Sequence, residues 1–333
     1  MLSETKVTAL PVWITAGGGN IMSSARDTVN ISGRKRRLNS VSLTAEVIIN
    51  IILGLFCLMC IIPFLFVVII SFSSQDSIRS IGFSFIPETW SLEAYQYVMD
   101  LGDQLWRSYF NSFFVTILGT GLSVLMCVLY SYALFRKDFK YRTFFTFFSF
   151  FTMLFGGGLA PTYMVCKIML GLSDNYAAMI VPMLVNPFNI IIMRTFFQSS
   201  VPTELIESAA IDGSGEYNTL FKIIVPISKP GIATIALLNA LAFWNEWFIP
   251  MLYVRDAHYI PLQYLLMRMQ NQADFLVKNS SIIGAEAAKI MSSIPQDTLR
   301  MSLVVLIVLP IACAYPFFQR YIISGLTVGS VKG

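Results

Sequence analysis

The chain has 333 residues, of which 56% are hydrophobic and only 13% charged, and its net charge is +4. A water-soluble domain is about a quarter charged, so a chain this poor in charge cannot cover a surface that faces water, and lipid is its natural solvent. Its basic residues fall in short clusters instead of one extended patch, which argues against nucleic acid as a partner.

The first 40 residues are polar and lack an apolar period, and they are expected to form a disordered N-terminal extension to a membrane domain over 41–333. Gly17–Gly19 lies just upstream of Met22. Glycine codons at that distance can spell a purine-rich ribosome-binding sequence, so Met22 stands beside Met1 as an alternative start. No apolar h-region follows a basic start, so no signal peptide is read here.

Six apolar stretches reach the roughly 20 residues that a crossing helix needs. They are Val47–Ile70, Tyr109–Phe135, Thr143–Tyr163, Ala177–Phe197, Gly231–Val254 and Ser302–Ile323. Pro63, Pro182, Pro187 and Pro310 fall inside them, as a membrane bundle tolerates. The expected fold is all-α, with six transmembrane helices. Arg34–Arg37 precede the first span, Arg136, Lys137, Lys140 and Arg142 crowd the second connection, and Lys222 and Lys229 sit in the fourth. Arg320 and Lys332 lie near the C-terminus. The positive-inside rule then makes both termini cytoplasmic, with the long fifth connection outside. Cys57 and Cys60 form a C-x-x-C inside the first span and His258 stands alone, so no metal site is expected.

The fourth connection is the most informative segment. Ser199 or Ser200 can cap a helix with Pro202 in its first turn, and Glu204 and Glu207 favour that positive end. The helix should stop at Asp212-Gly213, where glycine accepts a left-handed backbone. A second helix places Tyr217, Leu220, Phe221 and Ile224 on one face and ends at Pro226. The product is a cytoplasmic elbow of two short amphipathic helices between spans 4 and 5, with an apolar face that needs a partner.

The spacing Glu207-Ser208-Ala209, Gly213, Ile223 and Val225-Pro226 resembles the E-A-A-x3-G-x9-I-x-L-P signature of bacterial ABC-importer permeases. Ser208 and Val225 replace the signature's first alanine and its leucine. The stretch 204–213 (ELIESAAIDG) resembles the maltose-permease-like carbohydrate-uptake branch. The stretches 155–163 (FGGGLAPTY), 189–197 (NIIIMRTFF) and 315–321 (YPFFQRY) resemble its complex-oligosaccharide, alginate-importer-like subgroup. The likeness covers about Val47 to Gly333. Glu286-Ala287-Ala288 is a decoy, because Ser292 stands where the signature needs glycine.

This resemblance implies a division of labour. The chain would be a permease subunit paired with a second permease in a heterodimer, moving an oligosaccharide into the cytoplasm of a bacterial cell. ATP and Mg would sit on two separate ATPase subunits, and an extracytoplasmic solute-binding protein would deliver the sugar. The chain carries no phosphate-binding G-x-x-x-x-G-K-[ST] and would not itself be an enzyme. Glu204, Glu207, Ser208, Ala209, Asp212, Gly213, Tyr217 and Phe221 would couple it to the ATPase, small Ser208 and Ala209 allowing close approach.

Polar groups within spans mark a possible substrate path: Tyr163, Asn186, Asn189, Asn239, Trp244, Asn245 and Glu246. Aromatic faces beside carboxamides and a carboxylate suit sugar rings. Interfacial anchoring by Trp244 and Trp247 and interhelical hydrogen bonding by the asparagines are the competing readings. Gly156–Gly158 should break the third span, either for close helix packing or for a vestibule at Tyr163. Arg194 is expected to reach the lipid headgroups. A permease for a non-sugar solute and a secondary transporter are the alternatives; the latter would lack the elbow and pair ionisable residues near the midplane.

Overall fold

The computed structural model describes residues 43–278 and 295–328. The N-terminal extension, the start at Met22, the decoy at Glu286–Ala288 and the basic Lys332 all lie outside the described residues. The chain divides into two units, Met1–Leu58 and Met59–Gly333. The described part of the first is the leading portion of helix α1 (Leu43–Ser71), whose apolar side chains are exposed almost without exception. Everything below concerns the second unit.

Two short helices follow, α2 (Gln75–Ile81) and α3 (Glu93–Met99), and then the long α4 (Asp103–Phe135). Helices α5 (Arg142–Leu154) and α6 (Leu159–Met169) meet at 114°, and α7 (Tyr176–Met183) and α8 (Pro187–Ser200) at 53°. Helices α9 (Thr203–Ile211) and α10 (Glu216–Ile227) build the elbow, and α10 turns by 84° into α11 (Lys229–Trp244). After α12 (Phe248–Tyr253) and α13 (Leu262–Lys278) the described chain resumes with α14 (Gln296–Val328). Every named element among the described residues is helical. Three helices are long and apolar enough to cross a membrane alone, and three bent pairs raise the count to as many as six.

The breaks have local causes. Pro182 and Pro187 flank the α7–α8 bend, and the Asn186 side chain accepts the Phe188 N–H at 3.0 Å to start α8 afresh. The expected span from Gly231 to Val254 is not one helix either. It stops at Trp244, and Glu246 accepts the N–H groups of Phe248 and Ile249 at 2.8 and 2.9 Å, which begins α12. The carboxylate read as lying deep in a span is therefore spent on a helix N-terminus.

Packing centres on α4, which lies against α8 and α11, while α11 also packs on α14. Lipid supplies no hydrophobic drive between such helices, so close approach matters more. A Cβ at Gly119 would stand 2.7 Å from the Phe243 ring, and one at Gly231 2.7 Å from the Phe196 ring. These two glycines let α4 meet α11, and α11 meet α8, at ring-on-backbone distance. Two of the buried clusters among the described residues lie along these contacts. One gathers Leu105, Val115, Trp244, Leu262, Leu266 and Leu303; the other gathers Cys127, Tyr132, Met193, Phe197, Leu220 and Ile224.

Connections sort by end. The one after α1 is tied to the start of α14, since Gln75 accepts the N–H groups of Asp297 and Thr298. The connection after α6 is tied to the one after α12, where Asp174 accepts the N–H groups of Arg255 and Asp256 at 2.6 and 2.8 Å. At the start of α4, Asn111 donates to the carbonyls of His258 and Ile260, and Arg107 meets His258. At the other end of α4, Arg136 pairs with Glu216 of the elbow at 2.7 Å. The connections after the first, third and fifth apolar stretches thus share contacts at one end of α4. Those after the second and fourth meet at the other.

Candidate functional site

The elbow begins two or three residues later than the expected cap at Ser199 or Ser200. Pro202 is the residue before the first turn of α9, not within it, and no side chain caps that end. Proline forces its predecessor out of the helical region, and Val201 is extended. Ser199 instead donates to the carbonyl of Phe196 within α8. The other end of α9 matches the sequence reading. Gly213 has φ +75°, its N–H bonds the Ala210 carbonyl at 3.1 Å, and the Ser214 N–H bonds the Ala209 carbonyl at 2.9 Å. These two reverse bonds are a Schellman closure, which needs a left-handed residue at the glycine position.

The residues of α9 sort by face. Glu204, Glu207, Ser208 and Asp212 are exposed, whereas Ala209 is buried against the chain itself. Of the two small residues read as an approach surface, only Ser208 is presented, and its hydroxyl is satisfied by the Glu204 carbonyl at 2.8 Å. The face predicted for α10 also divides. Leu220 and Ile224 are buried, but Tyr217 is 77% and Phe221 47% exposed. The cause is a wide π turn over Thr219–Ile224, which spreads residues that a 3.6-residue period would align. Leu220 and Ile224 anchor the elbow to the bundle, and Ile211, Tyr217 and Phe221 are apolar side chains that the described residues leave exposed.

Glu216 fixes the elbow to α4. One carboxylate oxygen takes the Arg136 guanidinium at 2.7 Å and the other accepts the buried Tyr132 hydroxyl. Arg136 also reaches Asp138 at 3.0 Å, so the short connection after α4 and the start of α10 share one charged node. A pocket of about 570 Å³ lies beside it, lined by Tyr132, Arg136, Asp138, Phe139, Glu216 and Tyr217.

The residues read as a substrate path do not converge on one cavity. Asn189 donates to Asn239 at 2.9 Å, both buried, which joins α8 to α11. Asn186 caps α8, Glu246 caps α12, and Asn245 donates to the Leu241 carbonyl. Trp244 is not an interfacial anchor: it is 5% exposed and its indole N–H donates to the Ile307 carbonyl at 3.2 Å. It also borders an apolar cavity of about 440 Å³ beside Phe113, Leu241 and Tyr315, where the Thr116 and Thr120 hydroxyls lack partners. Tyr163 stacks on Tyr253 at 5.6 Å and accepts from Lys167 at 2.6 Å. Among the described residues nothing lies within 4 Å of a Cβ at Gly156 or Gly157, so neither glycine packs a described helix of this chain. Gly158 has φ +85°, which makes it a turn residue.

No protein-family model matches the chain. It is 38% identical over 279 residues to the polygalacturonan/rhamnogalacturonan transport system permease protein YtcP of Bacillus subtilis, covering 84% of this chain and 95% of that one. It is 31% identical to the arabinooligosaccharides transport system permease protein AraQ of Halalkalibacterium halodurans, over 81% of this chain and 91% of the relative. A crystal structure of a bacterial ABC transporter involved in the import of the acidic polysaccharide alginate contains a similar chain. It aligns with a TM-score of 0.69 at 30% identity, covering 85% of this chain and 99% of that one. The chain belongs to the carbohydrate-uptake family of ABC-importer permeases. It is an integral membrane protein.

Sequence reasoning on this permease missed the Tyr132–Glu216–Arg136 node. Eighty positions separate Arg136 from Glu216; Arg136 lies outside the signature and Glu216 falls at one of its unspecified positions. A basic residue directly after a span and an acidic one directly after a glycine turn were the only available hints, and they do not point at each other.

Proposed function

We propose that this permease is one half of a heterodimeric channel that carries an oligosaccharide into the cytoplasm, with its elbow seated on a separate ATPase subunit. The protein would span the membrane six times with both termini cytoplasmic. ATP and Mg would bind the ATPases, and a solute-binding protein would deliver the sugar from outside. The observation that carries the reading is the elbow itself. A rigid, glycine-turned pair of helices exposes Ile211, Tyr217 and Phe221 while Leu220 and Ile224 hold it to the bundle.

The sorting of connections to two ends of α4 supports the six-span topology. The relatives that transport polygalacturonan, rhamnogalacturonan or arabinooligosaccharides support a sugar cargo. An elbow docked on an ATPase moves when two ATPases close on ATP, provided ATP binds one global state better than the other. Glu216 would pass that movement to α4 through Arg136 and Tyr132.

The test is uptake of labelled oligosaccharide into vesicles containing this permease, its partner permease, the ATPases and the binding protein. Uptake that requires both ATP and the binding protein is the expected result. Uptake by this chain alone, driven by an ion gradient, would refute the reading.

A further inference from the structure

A third pocket, of about 520 Å³, opens between α5 and α8 near the end of α8 that runs into the elbow. Arg142, Thr143, Thr146, Phe147, Phe150 and Arg194 line it. Two guanidiniums thus face one space. Neither has an acidic partner among the described residues, and the Arg194 Nε atom is buried with no hydrogen bond at all. Thr146 donates to the Arg142 carbonyl at 2.7 Å, and Phe147 is 64% exposed. Two guanidiniums that share a pocket without an acid repel each other, and an anion between them would relieve that repulsion.

Lipid headgroups offer one anion, but the same face of the protein argues for another. The breaks α5–α6 and α7–α8 belong to the two helix pairs that supply this pocket. Gly156 and Gly157 are exposed there with no hydrogen bond to the rest of the described chain. Free backbone groups at membrane depth need protein or a water-filled passage, because hydrocarbon cannot satisfy them. The α5–α8 face is therefore suited to line a passage, with the arginine pocket toward its elbow end. A sugar travelling along that face meets two forks for carboxylate and two phenyl faces for the C–H side of a pyranose ring.

We propose that Arg142 and Arg194 form a carboxylate-binding station for an acidic, uronate-bearing oligosaccharide on its way through the permease. The inference rests on the oligosaccharide reading above and narrows its cargo. Thr143 supplies a hydroxyl to a ring oxygen, Thr146, whose proton is held by the Arg142 carbonyl, accepts from a sugar hydroxyl, and Phe147 and Phe150 supply the stacking surface. Arg194 is a specificity-determining residue.

The complete importer is reconstituted in vesicles of phosphatidylcholine alone and of phosphatidylcholine with phosphatidylglycerol. Uptake of trigalacturonate and of its uncharged methyl ester is measured for wild type, Arg194→Gln and Arg194→Lys. Each variant is scaled to wild type on the same sugar, so discrimination by the binding protein cancels. Arg194→Gln is expected to lose about tenfold on the acid, the scale of one charged hydrogen bond, and little on the ester, in both lipids. Arg194→Lys recovers most of the loss, and binding-protein-stimulated ATP hydrolysis holds throughout. Equal loss on acid and ester overturns the station, as does a loss seen only with phosphatidylglycerol, which would mark a headgroup site. Wild-type vesicles that take up neither sugar, while uptake of another solute proceeds, would overturn the oligosaccharide cargo itself.

Discussion

Gly213 concentrates the elbow's geometry in one backbone angle. Its φ of +75° lies where a β-branched residue is strained by about 1–2 kcal/mol, although a Cβ there would meet nothing within 4 Å among the described residues. Gly213→Val is therefore expected to leave the permease inserted while the two elbow helices lose their fixed angle. Transport per ATP hydrolysed should fall by about tenfold or more, measured in reconstituted vesicles, the strain being worth about one decade. Asp174 makes a different residue-scale point at the opposite end. It adopts φ +50°, and two backbone N–H groups hold its carboxyl below the usual value of 3.8, so the charged form is the one the fold stabilises. A lowered folded-state pKa stabilises above the unfolded pKa and ceases to do so as pH falls through the folded one. Asparagine tolerates the same backbone. Thermal unfolding of Asp174→Asn in detergent should thus occur at lower temperature than wild type at neutral pH, and the gap should close below about pH 4.

At the scale of elements, contact distance decides. Gly119→Val would drive a side chain into Phe243 at the α4–α11 contact, and overpacking of this kind costs about 1–3 kcal/mol. A lowered unfolding temperature that the double variant Gly119→Val/Phe243→Ala partly restores would confirm the clash. Glu216→Ala removes the shared acceptor of Tyr132 and Arg136. Leaving a buried hydroxyl unpaired costs about 1–3 kcal/mol, more than an exposed ion pair is worth. An importer carrying Glu216→Ala should still hydrolyse ATP but transport less per ATP, as with Gly213→Val, while Glu204→Ala, whose exposed side chain has no hydrogen bond or ion pair among the described residues, should retain the wild-type stability. Composition and hydropathy made the apolar stretches and the glycine turn legible, because span length and a positive φ impose residue types locally. Breaks at Asn186 and Asn245–Trp247 were not legible as helix restarts, since asparagine and glutamate in apolar runs read equally as pathway groups. The π turn in α10 was hidden for a similar reason. A period of 3.6 was assumed for Tyr217–Ile224, and nothing in those residues announces a wider one.

For the molecule as a whole, the elbow and the arginine pocket bear on the same connection from different directions. Arg194 stands on α8 only a few residues before Val201, where the chain leaves for the elbow. Movement of α9 and α10 therefore acts on the helix that carries Arg194 and, through Glu216, on α4. A substrate station beside the moving part is placed to release its cargo as the elbow shifts. That the second and fourth connections share an end was legible from the lysines and arginines in both. The residues that join the ends to the bundle were not, because hydrogen bonds such as Asn111 to Ile260 and Gln75 to Asp297 join positions some 150 to 220 residues apart.

The most direct measurement concerns which side of the membrane the elbow occupies and what covers it. Ser208→Cys, in a variant with Cys57, Cys60, Cys127, Cys166 and Cys313 replaced, is exposed to a membrane-impermeant maleimide. The account predicts no reaction in intact cells, rapid reaction in inside-out vesicles stripped of ATPase, and protection when the ATPase is restored. Reaction from outside intact cells, or labelling that the ATPase does not slow, would contradict it.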